Sequence, residues 1–338
     1  MKAWAAITRG RIERVERAVP DLAAGEVLVL VQACGVCRTD LHVVDREIPV
    51  HRPDVIPGHQ IVGRVVELGP GVTRLAPGDL VGVAWLRHSC GACEWCRSGR
   101  ENLCELSRFT GWDEDGGFAE YAIVAEAFAY ALPRDAEPVR MAPLLCAGII
   151  GYRALERAEL PAGGRLGIYG FGSSAHITAA IARAQGAEVY VMTRGQANRR
   201  LAASSGATFV GVEDAVPPVP LDAAIVFAPA GGLVPVALSA LTRGGTAVLA
   251  GIHMTDIPAM DYTEHLFYEK DLRTVTANTR ADGAALLRLA QQLEIVPSVT
   301  TYGFDRVDAA LDDLRAGRSS GSLVIDLEFA GNPEAAAL

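Results

Sequence analysis

The stretch from Cys34 to His59 holds the residues best suited to chemistry. It runs Cys34-Gly35-Val36-Cys37-Arg38-Thr39-Asp40-Leu41-His42 and, after a short linker, Pro57-Gly58-His59-Gln60. Thiol, hydroxyl, carboxylate and two imidazoles so close together can hold a soft divalent metal and move a proton. Cys37 and His59 are read as ligands of a catalytic zinc, with the rest of the chain completing the shell or bringing a hydride to it. Thr39 could also cap a short helix starting near Cys37.

A second group lies at Cys90-Gly91-Ala92-Cys93-Glu94-Trp95-Cys96, closed by Cys104. Four thiols at this spacing can surround one tetrahedral Zn²⁺, whereas disulfides across such short loops would be strained. Four thiolates on Zn²⁺ leave a charge of −2 and no open position, so this site is expected to be structural. Arg87, Arg97, Arg100 and Arg108 are near enough in sequence to offset that charge. Cys146 is the last cysteine with a claim. Read alone, in Leu144-Leu145-Cys146-Ala147-Gly148, it is a small buried hydrophobe; only a zinc centre in need of a third ligand makes it more. Cys34 reads as a buried strand residue, and His51 and His88 as surface groups.

These groups need a scaffold. Short apolar, β-branched runs such as Val27–Val31 and Ile61–Leu68, punctuated by Gly and Pro, predict a small β barrel over the first part of the chain. From Glu137 to about 158 the pattern becomes helical. From 165 to about 250, strands and helices alternate, predicting a parallel sheet. Its first strand, Leu166–Tyr169, runs into Gly170-Phe171-Gly172-Ser173-Ser174-Ala175, and the next strand is Glu188–Met192. That is the G-x-G-x-x-A form of a dinucleotide fingerprint, with phosphates expected at the helix start. Thr193-Arg194 ends the second strand where an acid would favour a free ribose hydroxyl, and Arg199 and Arg200 follow. A hydroxyl and guanidinium groups suit a 2′-phosphate, so NADP(H) is favoured over NAD(H). Further strands are expected at Ala223–Ala228, Thr246–Ala250 and Val324–Leu327, and an amphipathic helix over 281–293.

The bulk properties agree. The chain has 338 residues, half of them apolar, a net charge of −9 and seven cysteines. That suggests about two domains, with no basic footprint for nucleic acid and no apolar run long enough to span a bilayer. The opening residues have too short an apolar core for a signal peptide, so a cytoplasmic protein is expected. Cysteines bunched within a reducing compartment favour metal over disulfides.

With these motifs together and in this order, the chain resembles the zinc-dependent medium-chain alcohol dehydrogenases over nearly its whole length. Within them it looks closest to bacterial members with a Gly-His-Gln motif and the later Ala277-Asn278-Thr279-Arg280-Ala281-Asp282-Gly283. The resemblance implies an α/β fold: a GroES-like β-barrel catalytic domain over 1–147 and 281–338, with a structural-zinc lobe at about 86–108, and a Rossmann doubly wound parallel-sheet domain over 148–280. It implies that Cys37, His59 and Cys146 bind catalytic zinc, that Cys90, Cys93, Cys96 and Cys104 bind structural zinc, and that there are two Zn²⁺ per chain. Thr39 and His42 would relay the substrate proton and Asp40 would brace His59. Arg280 would reach the cofactor pyrophosphate, and Trp85 and Trp112 would line the substrate pocket. The implied reaction moves hydride between a primary alcohol or aldehyde and NAD(P), in a homodimer or homotetramer. A polyol or amino-alcohol dehydrogenase, or a non-catalytic zinc- and nucleotide-binding sensor, are the alternative readings. One departure stands out: the family commonly has Glu after the ligand histidine, where this chain has Gln60, which bears on water and substrate exchange at the metal.

Overall fold

A computed structural model describes residues 1–327 of the chain. Its contacts divide it into two units: Met1–Cys146 with Asn278–Ala284 and the described residues from Val299 on, and Ala147–Ala277 with Ala285–Ser298. The return to the first unit is therefore not continuous from 281, as the sequence suggested. The helix Arg280–Gln292 gives its first turn to one unit and the rest to the other.

The first unit is built on a seven-stranded sheet, ordered Val299–Gly303, Ser322–Asp326, Glu26–Val36, Gln60–Leu68, Leu80–Val83 and Ala129–Ala131, with Tyr121–Ala125 also paired to Glu26–Val36. Glu26–Val36 is the organising strand. Its whole length pairs antiparallel with Gln60–Leu68, while its other edge is shared between Tyr121–Ala125 and Ser322–Asp326. Bulges fall at Leu28/Val29 and Val31/Ala33, where the long strand must bend to serve both neighbours. Val29, Val31, Ile61, Val83, Phe118, Val124 and Ile325 fill the core of this unit. Cys34 is fully buried in the same strand, as expected, and burial pushes its thiol well above the ordinary range.

The second unit holds a six-stranded parallel sheet in the order Phe209–Gly211, Glu188–Met192, Arg165–Tyr169, Leu221–Val226, Leu241–Leu249, Asp271–Thr274. Numbered along the sheet's own chain order this is 3-2-1-4-5-6, the doubly wound dinucleotide arrangement, whose strand order reverses beside the first strand. Every pair is parallel. The expected strands are all present. Gly170 follows the first strand at φ +87°, and a Cβ there would lie 2.9 Å from the backbone nitrogen of Ala228. Only glycine makes that turn without strain. Among the described residues no helix is long and apolar enough to cross a membrane.

Candidate metal centres and active site

Cys37 is the N-cap of the helix Arg38–Val44; Thr39 is not, as the sequence had allowed. The Cys37 sulfur accepts the Thr39 N–H, and the Asp40 carboxylate reaches back to the Cys37 N–H, closing a capping box. The reason Cys37 wins is position: it is the last residue of extended backbone, at φ −137°, before the chain turns helical. The helix is buried along almost its entire length, so Thr39, Asp40 and His42 all point into protein.

His59 is delivered by the turn preceding the strand Gln60–Leu68. Gly58 sits at φ +94°, and a Cβ there would collide with Phe118 and the sulfur of Cys34. The His59 ring is fully enclosed. Its Nδ1 lies 3.0 Å from Asp40 Oδ1, which also accepts the Gly58 N–H at 3.1 Å. An ionised carboxylate only accepts, so it holds the proton on Nδ1 and leaves Nε2 with a lone pair for a metal. Cys146 ends the 3-10 turn Ala142–Leu145, at φ −136° and ψ −66°, just before the helix Ala147–Ala158. Its sulfur is 3.3 Å from His59 Nε2, and the Cys37 sulfur is 3.2 Å from the same nitrogen.

These distances test whether zinc fits. A tetrahedral zinc with ordinary bond lengths separates S and N ligands by about 3.5 Å and two S ligands by about 3.8 Å. The three donors of Cys37, His59 and Cys146 all lie within 4.8 Å of one another, and among the described residues no fourth joins the group. Two thiolates and one neutral imidazole fit Zn²⁺, give a neutral centre and leave a fourth position. Without metal the group shares protons. The hydrogen bond from the Cys146 thiol, helped by the His59 ring, holds the Cys37 thiol well below its usual range despite burial. That same bond, and burial, push Cys146 up. Burial opposes a charge on His59, but Cys37 and Asp40 outweigh it and raise the ring above the ordinary histidine value. Zinc would displace these protons. Replacing Asp40 with asparagine should weaken zinc binding at this site by about 10- to 100-fold, the usual cost of losing a carboxylate that orients a ligand histidine. Competition with a chromophoric chelator measures it.

The four-cysteine lobe is a separate cluster. Cys90, Cys93, Cys96 and Cys104 also bring their sulfurs within 4.8 Å of one another, and Cys90 and Cys96 are 3.9 Å apart. The sulfur of Cys90 accepts N–H groups from Ala92 and Cys93, that of Cys93 from Cys96, and that of Cys104 from Cys90. Backbone donors of this kind lower the Cys90 thiol to about 6. Four thiolates so arranged fit zinc with no vacancy.

Of the arginines expected to balance this lobe, Arg100 lies over the Trp95 ring at 4.7 Å and Arg108 pairs with Glu114. An unexpected cation joins them. Arg280 donates from Nε and Nη2 to both oxygens of Glu101, at 3.0 and 2.6 Å, and from its backbone N–H to Oε1 at 2.8 Å. It also senses the charge of Cys96. Glu101 is buried three residues before Cys104, and Arg280 overcomes that burial to keep its carboxyl below the usual range. The Glu101 partner was not visible in the sequence because 179 residues separate the two. Thr279 and Asp282 form their own cap at the start of the same helix.

Trp85 and Trp112 come together beside the His59 site. Trp85 stacks on Phe109 at 4.2 Å, its ring is 6.3 Å from that of His59, and Trp112 lies 6.0 Å away. His51 continues the stack on Trp112 at 3.9 Å and bonds to Asp113 at 2.7 Å. Gln60 is buried, and its side chain packs over Gly35, where a Cβ would be 2.8 Å from its amide carbon. His42 is also enclosed, with Nδ1 2.5 Å from Glu47 Oε2; no sequence motif drew attention to Glu47.

In the second unit, Gly172 precedes the helix Ser173–Ala184, which no side chain caps at that position. Ser173, Ser174 and Ala175 form its first turn. Thr193 is buried, and its hydroxyl accepts the Phe171 N–H at 3.1 Å, bracing the glycine turn. Arg199 donates to the Thr193 carbonyl, while Arg194 extends into solvent and pairs with Glu213 at 3.1 Å.

Comparison with known proteins agrees with this architecture. A family model described as the alcohol dehydrogenase GroES-like domain matches residues 23–134. The chain is 55% identical to a probable alcohol dehydrogenase, AdhA, of Mycobacterium tuberculosis, covering 96% of this chain and 97% of that one. Among solved structures it is similar to the cobalt- and zinc-bound thermostable alcohol dehydrogenase of Pyrobaculum aerophilum, with a TM-score of 0.89, 29% identity and coverage of 97% and 99%. It is likewise similar to the Helicobacter pylori CAD complexed with NADP(H), with a TM-score of 0.89, 25% identity and coverage of 97% and 98%. With a matching domain, a relative sharing more than half its residues end to end, and two donor sets fit for zinc, this chain belongs to the zinc-dependent medium-chain alcohol dehydrogenases and is an NAD(P)-dependent oxidoreductase.

Proposed function

We propose that the chain oxidises primary alcohols, or reduces the corresponding aldehydes, at a zinc held by Cys37, His59 and Cys146, with a second, structural zinc on Cys90, Cys93, Cys96 and Cys104. The observation that carries this reading is the convergence of two sulfurs and one imidazole nitrogen, with Asp40 fixing the ring that supplies the nitrogen. Bound there, zinc would supply Lewis acidity toward an alcohol or carbonyl oxygen, and NAD(P) would supply or take the hydride.

The chain's own residues do the rest. Asp40 holds the His59 tautomer that can donate to a metal. Thr39, two residues after Cys37, offers a hydroxyl that can take the substrate proton and pass on its own. His42, on the same helix, is the destination of that proton, which a bound cofactor's ribose would carry to it. Trp85 and Phe109 form an apolar wall beside His59, which suits the carbon skeleton of an alcohol and limits water. Activity of the zinc-loaded protein toward a panel of primary alcohols, sorbitol and threonine tests the substrate class. Faster turnover of sorbitol or threonine than of any primary alcohol would overturn it.

On the cofactor, we favour NADP(H), with Gly170, Gly172, Ser173, Ser174 and Ala175 at the pyrophosphate and Arg194 at the 2′-phosphate. The support is a guanidinium at the end of the second strand, engaged in a solvent-exposed pair with Glu213. Exposed pairs are weak, so a phosphate could displace this one. Arg194→Asp is expected to lower kcat/KM for NADPH by about tenfold or more, the worth of a charge-assisted bond plus new repulsion, and to change NADH little. Equal losses with both cofactors would count against the phosphate role.

A further inference from the structure

We propose that His176 is a positioning residue for dinucleotide binding: its ring holds the carbonyl of Gly172 and so fixes the peptide group that the cofactor pyrophosphate meets. This rests on the reading of the glycine turn at 170–175 as the pyrophosphate site. His176 is buried in the helix Ser173–Ala184. The Ser298 N–H donates to its Nε2 at 3.1 Å, and its Nδ1 lies 3.2 Å from the Gly172 carbonyl oxygen. A backbone N–H only donates, so Nε2 keeps the lone pair, and Nδ1 carries the proton and donates to Gly172. Burial holds the ring below the ordinary histidine value, against the pull of the Gly172 and Ser173 carbonyls. The ring is therefore neutral at neutral pH and keeps this tautomer.

Helix formation does not account for the ring bond. The Gly172 carbonyl already accepts the His176 backbone N–H at 3.1 Å, the ordinary bond of a first helical turn. What the second bond adds is orientation. In a trans peptide the C=O and N–H point in opposite directions. With the Gly172 oxygen drawn along the helix by two donors of His176, the Ser173 N–H of the same peptide faces beyond the helix start, where an anion is favoured. The backbone there leaves room for a ligand. Gly172 sits at φ −112°, outside the left-handed region, and a Cβ built on it meets no described atom within 4 Å. Packing within the protein does not require glycine at 172, whereas close approach of a phosphate does. The preceding peptide is gripped as well, by the Thr193 hydroxyl that accepts the Phe171 N–H at 3.1 Å.

The two ring nitrogens separate positioning from a purely structural tie. If His176 served only to join the helix to the segment ending at Ser298, the bond at Nε2 would matter and the bond at Nδ1 would not. Asparagine can place its amide N–H near the position of Nδ1 and keep the bond to Gly172. Glutamine can place its amide oxygen near the position of Nε2 and keep the bond to Ser298. Each replacement therefore retains one contact and loses the other.

The test titrates the zinc-loaded full chain with NADPH and with NADH, following the quenching of tryptophan fluorescence, and records Tm for each variant. His176→Gln is expected to raise Kd for both cofactors by about fivefold to tenfold, the loss of one hydrogen bond. The two should suffer alike because both carry the pyrophosphate. His176→Asn should bind both as the wild type does. In steady-state assays the loss in His176→Gln should appear in KM for the cofactor and not in kcat. Wild-type affinity in His176→Gln, equal losses in the two variants, or losses that follow Tm would overturn the proposal and make His176 a structural tie. Gly172→Ala tests the underlying reading separately. A Cβ in the open space should weaken both cofactors, and wild-type affinity in that variant would remove the turn as the pyrophosphate site and the role of His176 with it.

Discussion

Replacing Cys146 with alanine should remove one zinc per chain and lower kcat/KM for alcohol oxidation by about a thousandfold or more, because the several kcal/mol of Lewis-acid stabilisation is lost at 1.4 kcal/mol per tenfold. The donor geometry sets this expectation. Among the described residues three side chains converge on the site, so removing one leaves Cys37 and His59 as a two-donor site. The fold should survive. Leu145 and Ala147 on either side are buried and hold the backbone, and the substituted thiol is half-buried. Cys34→Ala is the control. It too removes a buried thiol, but one that faces the core, so zinc and activity should be retained. Metal analysis and steady-state rates on both proteins decide the matter. A Cys146→Ala protein with wild-type zinc and wild-type rate would refute the assignment of the catalytic centre.

The second large effect is expected at the lobe. Cys93→Ser should cost the structural zinc and lower Tm by on the order of 10 °C, since a structural zinc contributes folding free energy directly and each kcal/mol moves Tm by a few degrees. The Cys93 sulfur also caps the short helix Glu94–Arg97, so the local fold loses an N-cap with the metal. The change should spread to Arg280. Its partner Glu101 is held in the turn Glu101–Leu103 that leads into Cys104. When the turn loosens, the two-oxygen grip on Arg280 goes with it. Limited trypsin digestion should then cut at Arg97 and Arg100 well before the rest of the chain. Unchanged Tm together with unchanged zinc content would show that the lobe stands without metal.

How legible each of these features was depends on sequence distance. The lobe could be read directly because its four sulfurs lie within fifteen residues and its N–H···S bonds run between near neighbours. The glycine turn was legible for the same reason: strand, turn and helix follow one another without interruption. Cys37 and Asp40 are three residues apart on a single capping box. Thr193 shows the limit of such local reading. Its identity and position suggested a contact with the cofactor, yet the fold turns its hydroxyl inward onto Phe171. Whether a side chain near a site faces it is a matter of which surface its strand end packs against, and that is not local.

Residue types and short spacings by themselves determined the four-cysteine cluster, the Cys37 and His59 part of the other metal-capable cluster, the parallel dinucleotide-binding sheet and the alternation that builds the first sheet. The neighbours of Cys146 mark it as one more apolar core residue and only the family resemblance made it a ligand candidate; the tertiary structure brings its sulfur to His59 across 87 residues of chain. It also decided that Arg280 is gripped by Glu101, and that a turn through a left-handed arginine lays Glu47 on His42. The physical reason is the same throughout. A local motif is held by hydrogen bonds whose partners are fixed by backbone geometry over a few residues. A convergent site depends on the packing of distant strands and turns, and no pattern in the intervening residues records where that packing brings them together.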